Sequence, residues 1–246
     1  MTVRAERSSM PSPRHDAGLK ADFGARNDKE QRVIAGAIFD VDGTLLDSMP
    51  TWHNCGARYL ATLGIEAEPG LGDILFTHTS ETAALYLIDR YKLDKDPDEV
   101  ARGLSEQMEH YYYEEASMKP GAREFLDKLE SEGVPMTVAT STDRYCIEAA
   151  FEKLDLSHYF LKVLTCPEVG ATKSEPLIFE KCAEITGSEP EETWVFEDGL
   201  YAIKTAADAG FRTAAVYDEV SREDFDEMSR LADISVMGFD ELAEKF

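Results

Sequence analysis

From residue 33 onward the chain alternates short apolar runs with longer amphipathic ones. VIAGAIFDVDGT (33–44) carries Val, Ile, Ala and Phe, then stops abruptly at Asp and Gly. That pattern predicts a strand buried on both faces and running into a loop. VPMTVATST (134–142), ETWVFEDG (192–199) and FRTAAVYD (211–218) have the same form. LKVLTC (161–166) is a weaker instance, and ISVM (234–237) is the candidate sixth strand. Helical patterns fall between them. GAREFLDKLESEG (121–133) sets Phe125, Leu126 and Leu129 on one face and ends at Gly133, a stop signal. RYCIEAAFEKLDL, EPLIFEKCAEITG and LYAIKTAADAG share that character. Strand–helix alternation predicts βαβ units with right-handed crossovers, hence an α/β fold with a parallel sheet and helices on both faces. In such sheets ligands bind beyond the carboxyl ends of the strands.

Residues 48–117 break the alternation. TWHNCGARYLATLG, SETAALYLIDRYKL and PDEVARGLSEQMEHYYYEEA read as helices, with no convincing strand among them. An all-helical block after the first strand is expected to be an inserted cap domain. The core domain is then 33–47 together with 118–246. The run Tyr111–Tyr113 reads as packing or interface rather than as a stacking platform. Residues 1–32 are rich in Ser, Pro, Arg, Asp and Gly without apolar periodicity, and are expected to be a disordered tail.

Composition narrows the classes. The tail holds seven Arg/Lys against five Asp/Glu, so the rest of the chain carries the acidity behind a formal net charge of −24. Such a field argues against nucleic acid and anionic membrane as partners. No apolar run reaches the length of a membrane-spanning helix, and the first twenty residues lack a secretory apolar core. Cys55, Cys146, Cys166 and Cys182 lie far apart with no CxxC pair, as expected of reduced thiols in the cytoplasm. A monomer needs no special assumption. An acidic protein that binds phosphate must hold it with local positive charge, from a metal ion, a lysine or backbone N–H groups.

The informative polar residues gather where the strands are predicted to end. Asp40 and Asp42 are two positions apart, so in an extended segment they project from one side and repel unless a cation or proton lies between them. Thr140, Ser141 and Thr142 end the next strong strand with hydroxyls able to donate to phosphate oxygens. Lys173 follows a Gly-containing loop, and Glu197 and Asp198 end the TWVFED strand ahead of Gly199. Hard carboxylate oxygens with few nitrogen or sulfur ligands suit Mg2+.

FDVDGTLLDS, VATST, TKSEPLIF and VFEDGLYAIKTAADAG resemble, in order and spacing, the four motifs of the haloacid dehalogenase-like hydrolase superfamily. The resemblance covers roughly residues 34–246, and points to the phosphatase and β-phosphoglucomutase-like subgroup. It implies a Rossmann-like core with a helical cap between the first two motifs. It also implies a phosphoric monoester hydrolase with a small phosphorylated metabolite as substrate. Asp40 would be the nucleophile that becomes an aspartyl-phosphate, and Asp42 the general acid–base. Thr140, Ser141 and Lys173 would hold the phosphoryl group. Asp40, the Asp42 carbonyl and Asp198 would hold magnesium, with help from Glu197.

Two departures matter. Lys173 is followed by Ser174 and Glu175 where a proline and a small residue are common in the family. Twelve positions after the nucleophile, where many relatives carry histidine, stands Trp52, with His53 one further on. His53 therefore reads as a helix residue rather than a catalytic acid. Trp52 favours hydrolysis over the alternative of phosphosugar mutase chemistry. Dehalogenase and phosphonatase chemistries fit less well, because Asp42 supplies the acid–base that phosphate esters require. A non-catalytic binding or regulatory relative is the alternative of another class, and it is disfavoured by the presence together of Asp40, Asp42, Thr140, Lys173 and Asp198.

Overall fold

The structure, a computed structural model, describes residues 34–76 and 78–246. The tail expected over 1–32 lies outside the described residues. Six strands form one parallel sheet: β1 (Gly36–Phe39), β2 (Met136–Thr140), β3 (Phe160–Thr165), β4 (Thr193–Glu197), β5 (Arg212–Val216) and β6 (Ile234–Val236). Their order is β3-β2-β1-β4-β5-β6. The connection that leaves β3 to resume beside β1 creates a switch point between β1 and β4, where the loops diverge and a crevice opens. Every residue of β1, β2 and β4 is buried, which explains the near-continuous apolar runs.

The strand period of two sorts the core into layers. Ala37, Phe39, Val138, Trp194 and Phe196 face one apolar cluster, with Phe125, Phe151 and Phe239 from helices packed on that side. Ile38, Ala139 and Val195 face the other, with Ile178, Phe179 and Ala202. The expected helices on both faces are therefore present. Each fully buried large side chain contributes on the order of 1.5–3 kcal/mol relative to exposure.

The block after β1 is helical: α1 (Met49–Thr62), α2 (Leu71–Leu75), α3 (Ser80–Tyr91) and α4 (Pro97–His110). Asp96 caps α4 by accepting from the Asp98 N–H at 2.9 Å, with Pro97 in the first turn, where its missing N–H costs nothing. These helices share their own apolar cluster, including Tyr59, Leu60, Leu87, Val100 and Leu104. The chain leaves α4 through a π-helical turn, Tyr111–Glu115, whose Tyr111 and Tyr112 pack into the sheet-side core instead. The remaining helices are α5 (Ala122–Ser131), α6 (Arg144–Leu154), α7 (Cys166–Val169), α8 (Leu177–Thr186), α9 (Leu200–Asp208), α10 (Phe225–Leu231) and α11 (Phe239–Lys245). Among the described residues, no helix is long and apolar enough to cross a membrane.

Candidate active site

β1 hands over to the site at Asp40, whose N–H still donates to the Phe196 carbonyl at 3.0 Å. That bond ties the first acid to β4. Lys173, from the loop before α8, donates to Asp40 Oδ1 and to Glu197 Oε1, the latter at 2.7 Å. All three side chains are buried. Asp198, one residue beyond β4, accepts from Thr44 Oγ1 at 2.8 Å. One carboxylate oxygen from each of Asp40, Glu197 and Asp198 lies within 4.8 Å of the others.

The electrostatics of this group leave room for a cation. Burial pushes the Asp40 carboxyl up to about 7; Glu197 and Asp42 add to the rise and Lys173 opposes it. Asp198 is also held well above the usual carboxylate range, by burial first and then by Glu197 and Asp40. Burial alone would push Lys173 down, but Asp40 and Glu197 outweigh it and keep the ammonium charged. One lysine among three buried acids leaves surplus negative charge. An all-oxygen donor set with that surplus fits a hard divalent cation such as magnesium. Glu197 is the least available donor, since its Oε1 takes Lys173 and its Oε2 accepts from the Gly199 N–H at 2.6 Å.

Asp42 departs from the strand geometry expected of it. β1 ends at Phe39, and Gly43, with φ of +84°, turns the chain back so that Asp42 bridges Leu46. The alternation of a strand no longer applies, and the two acids find separate partners. Asp42 Oδ1 accepts from the Tyr112 hydroxyl at 2.6 Å, and Oδ2 from Thr142 Oγ1 at 2.7 Å. Its carboxylate is outside the three-acid group, so only its main-chain carbonyl stays available for the ligand role expected from the family resemblance. Gly43 is also required by space, because a Cβ there would stand 2.2 Å from Asp198 Oδ2.

The expected phosphate-holding hydroxyls divide. Thr140 is buried at the end of β2, with its Oγ1 accepting the Thr142 N–H at 3.1 Å. Ser141 is exposed, with its Oγ 3.6 Å from Cys166 Sγ. Both line the same cavity of about 1000 Å³ as Asp40, Asp42 and Lys173. His53 does not line that cavity; it lies in α1 and pairs with Asp73 at 2.8 Å, in keeping with a helix residue. Two residues escape the sequence reading as site components: Tyr112, which reads as packing, and Thr44, which draws no separate reading. Thr142, one of the three hydroxyls expected to meet phosphate, instead donates to Asp42. Only the position of Thr44 inside the FDVDGT motif offered a signal.

Comparisons with known proteins address the family and the fold. The profile of the haloacid dehalogenase-like hydrolases matches residues 37–216. A fructose-1-phosphate phosphatase of Escherichia coli K12 is 30% identical over 178 residues, covering 72% of this chain and 93% of its own. A phosphorylated carbohydrates phosphatase of Thermotoga maritima is 25% identical over 177 residues, covering 72% of this chain and 82% of its own. A crystal structure assigned to a β-phosphoglucomutase of Thermotoga maritima superposes with a TM-score of 0.74 at 23% identity, covering 85% of this chain and 98% of the other. At that identity the likeness speaks for the fold. With the profile spanning the sheet from β1 to β5, the chain belongs to the haloacid dehalogenase-like hydrolase family, as a phosphatase.

Proposed function

We propose that this phosphatase hydrolyses a small phosphorylated carbohydrate, with Mg2+, through an aspartyl-phosphate on Asp40. The observation that carries the reading is the contact of Lys173 with Asp40 inside a buried acidic group. A carboxylate attacks a phosphate ester only when the repulsion between the two anions is cancelled. Lys173 supplies part of that cancellation. Asp40, Asp198 and the Asp42 carbonyl would hold the ion, with Glu197 adding charge and fixing Lys173. When bound, magnesium neutralises phosphoryl oxygens and helps align them.

The residues divide the reaction in two. An Asp40 oxygen bonds to phosphorus while the ester P–O bond breaks, and the electron pair leaves on the ester oxygen. Asp42 gives that oxygen its proton. Asp42 then takes a proton from water as the water oxygen bonds to phosphorus, and the bond to Asp40 breaks. Ser141 and Lys173 line the cavity where the phosphoryl group would rest, and Thr140 shapes the loop that presents it.

The separate apolar cluster of α1 to α4 supports a cap domain over 48–117, set on a core of 33–47 and 118–246. Trp52, Tyr112 and Tyr145 give the cavity an aromatic wall, which suits the faces of a sugar or polyol. The names of the two curated relatives point the same way. Four free cysteines support the cytoplasm as its compartment, and a monomer is the state proposed with it. A phosphate-release screen over sugar phosphates, hexitol phosphates and nucleotides, with and without magnesium, tests the reading. Release should be fastest with a carbohydrate phosphate and should require the metal. No release from any of them would remove the reading.

A further inference from the structure

The Asp42 carboxylate is held by hydroxyls from two distant parts of the chain. Thr142 reaches it from the loop after β2 and Tyr112 from the π-helical turn after α4. Tyr112 is itself addressed from α1: the Trp52 Nε1–H donates to the Tyr112 oxygen at 3.1 Å. Tyr112 has no solvent exposure, whereas Trp52 is 39% exposed.

This chain of bonds has a fixed direction. An indole N–H can only donate, and a phenol has one hydrogen to give. With the indole on its oxygen, the Tyr112 hydrogen goes to Asp42 Oδ1 at 2.6 Å, since Thr142 Oγ1 is at 3.5 Å. Thr142 is different. Its hydroxyl rotates freely and can donate to a carboxylate or accept from a carboxylic acid. The two oxygens of Asp42 are therefore unequal, with Oδ1 always an acceptor and Oδ2 able to carry a proton.

We propose that Tyr112, oriented by Trp52, is a positioning residue for Asp42, pinning Oδ1 and leaving Oδ2 to exchange the proton with the substrate. This rests on the phosphatase reading above. In the first half-reaction the Oδ2–H bond breaks as the ester oxygen gains that proton along with the electron pair of the broken P–O bond. In the second, Oδ2 recovers a proton from the attacking water. Tyr112 and Trp52 both belong to the helical insertion, so that segment orients the proton donor as well as walling the cavity.

Proton donation matters in proportion to how poorly the leaving oxygen bears charge. The test is a series of aryl phosphates, 4-nitrophenyl, 4-chlorophenyl and phenyl, hydrolysed with magnesium by the full chain and its Tyr112→Phe variant. The loss in kcat should be less than about 3-fold for 4-nitrophenyl phosphate and above about 10-fold for phenyl phosphate, with KM nearly constant. Trp52→Phe changes an exposed side chain and serves should Tyr112→Phe fail to fold; it should show the same trend with smaller losses. Asp42→Asn should show the steepest trend of all. An equal loss across the series, as a merely structural role would give, overturns the proposal, and so does no loss. Wild-type protein that releases no phosphate from any aryl ester would overturn the phosphatase reading, and this inference with it.

Discussion

Lys173 Nζ donates to Glu197 Oε1 at 2.7 Å, and neither side chain has more than 3% of its surface exposed. The pair ties the loop before α8 to the end of β4 and delivers the same ammonium to Asp40. Removing one member of a buried ionic group leaves the others uncompensated, at a cost of about 3–5 kcal/mol. Lys173→Met should lose that much in urea unfolding and should release no measurable phosphate. Glu197→Gln keeps the shape and the Gly199 contact, so it should fold well and lose turnover through a misplaced lysine. Full activity in Lys173→Met would sever the lysine from the chemistry.

Asp40→Asn should stop turnover, because an amide does not form the acyl phosphate. Asp42→Asn should slow it by about three orders of magnitude, roughly 4 kcal/mol in the barrier. The check is phosphate release from Asp40→Asn protein shown by mass spectrometry to retain its new amide. A near-normal rate in that intact variant would falsify the aspartyl-phosphate mechanism.

The buried acids make metal binding pH-dependent, with a definite sign. Asp40 titrates near 7, above the ordinary carboxylate range, and Asp198 is raised as well. A carboxyl whose pKa is raised by folding binds its proton better folded than unfolded. Its contribution to stability is thus present at low pH and lost as the pH rises through the window up to about 7. Magnesium competes with those protons. The rise in Tm on adding magnesium should therefore be larger at about pH 8 than at about pH 5. Asp198→Asn should abolish most of that difference in differential scanning fluorimetry. A magnesium shift independent of pH would contradict the acids as ligands. Chelation should stop turnover in parallel.

Gly43→Ala should damage the site twice. The residue sits at φ +84°, and the added Cβ would meet Asp198 Oδ2 at 2.2 Å. The backbone cost is about 1–2 kcal/mol, and Asp198 must move, so magnesium affinity and turnover should fall together. Isothermal titration with magnesium provides the measurement. Unchanged affinity would mean that the loop relaxes without disturbing Asp198.

Hydrolysis should outpace transfer. The Trp52 indole N–H is engaged with Tyr112 and has no second function as a proton relay. With β-glucose 1-phosphate and a bisphosphate activator, free phosphate should appear faster than glucose 6-phosphate. The reverse order would make this a mutase, with Asp40, Asp42 and magnesium keeping their roles.

The sheet was legible because its signals are local. VIAGAIFD, VPMTVAT and TWVFED each announce a strand buried on both faces, and each ends in the polar residues that the fold then places along one rim. A parallel sheet aligns strand ends by construction, so Asp40, Thr140, Glu197 and Asp198 converge whenever the strands are found. Lys173 is legible from its place after a Gly-containing loop, and the resemblance adds its role.

What surrounds those residues depended on tertiary structure. Tyr112 lies 70 positions from Asp42, Trp52 lies 60 from Tyr112, and Thr44 lies 154 from Asp198. In sequence a tyrosine among tyrosines reads as packing, and Tyr112 does pack, with its ring in the core and only its hydroxyl in the site. Nor could alternation foretell which way Asp42 faces, because β1 ends at Phe39 and the chain turns at Gly43. The acids themselves follow from a local period and the geometry of strand ends. The hydrogen bonds that orient them follow from where an inserted helical segment happens to return to the sheet, and no local pattern encodes that.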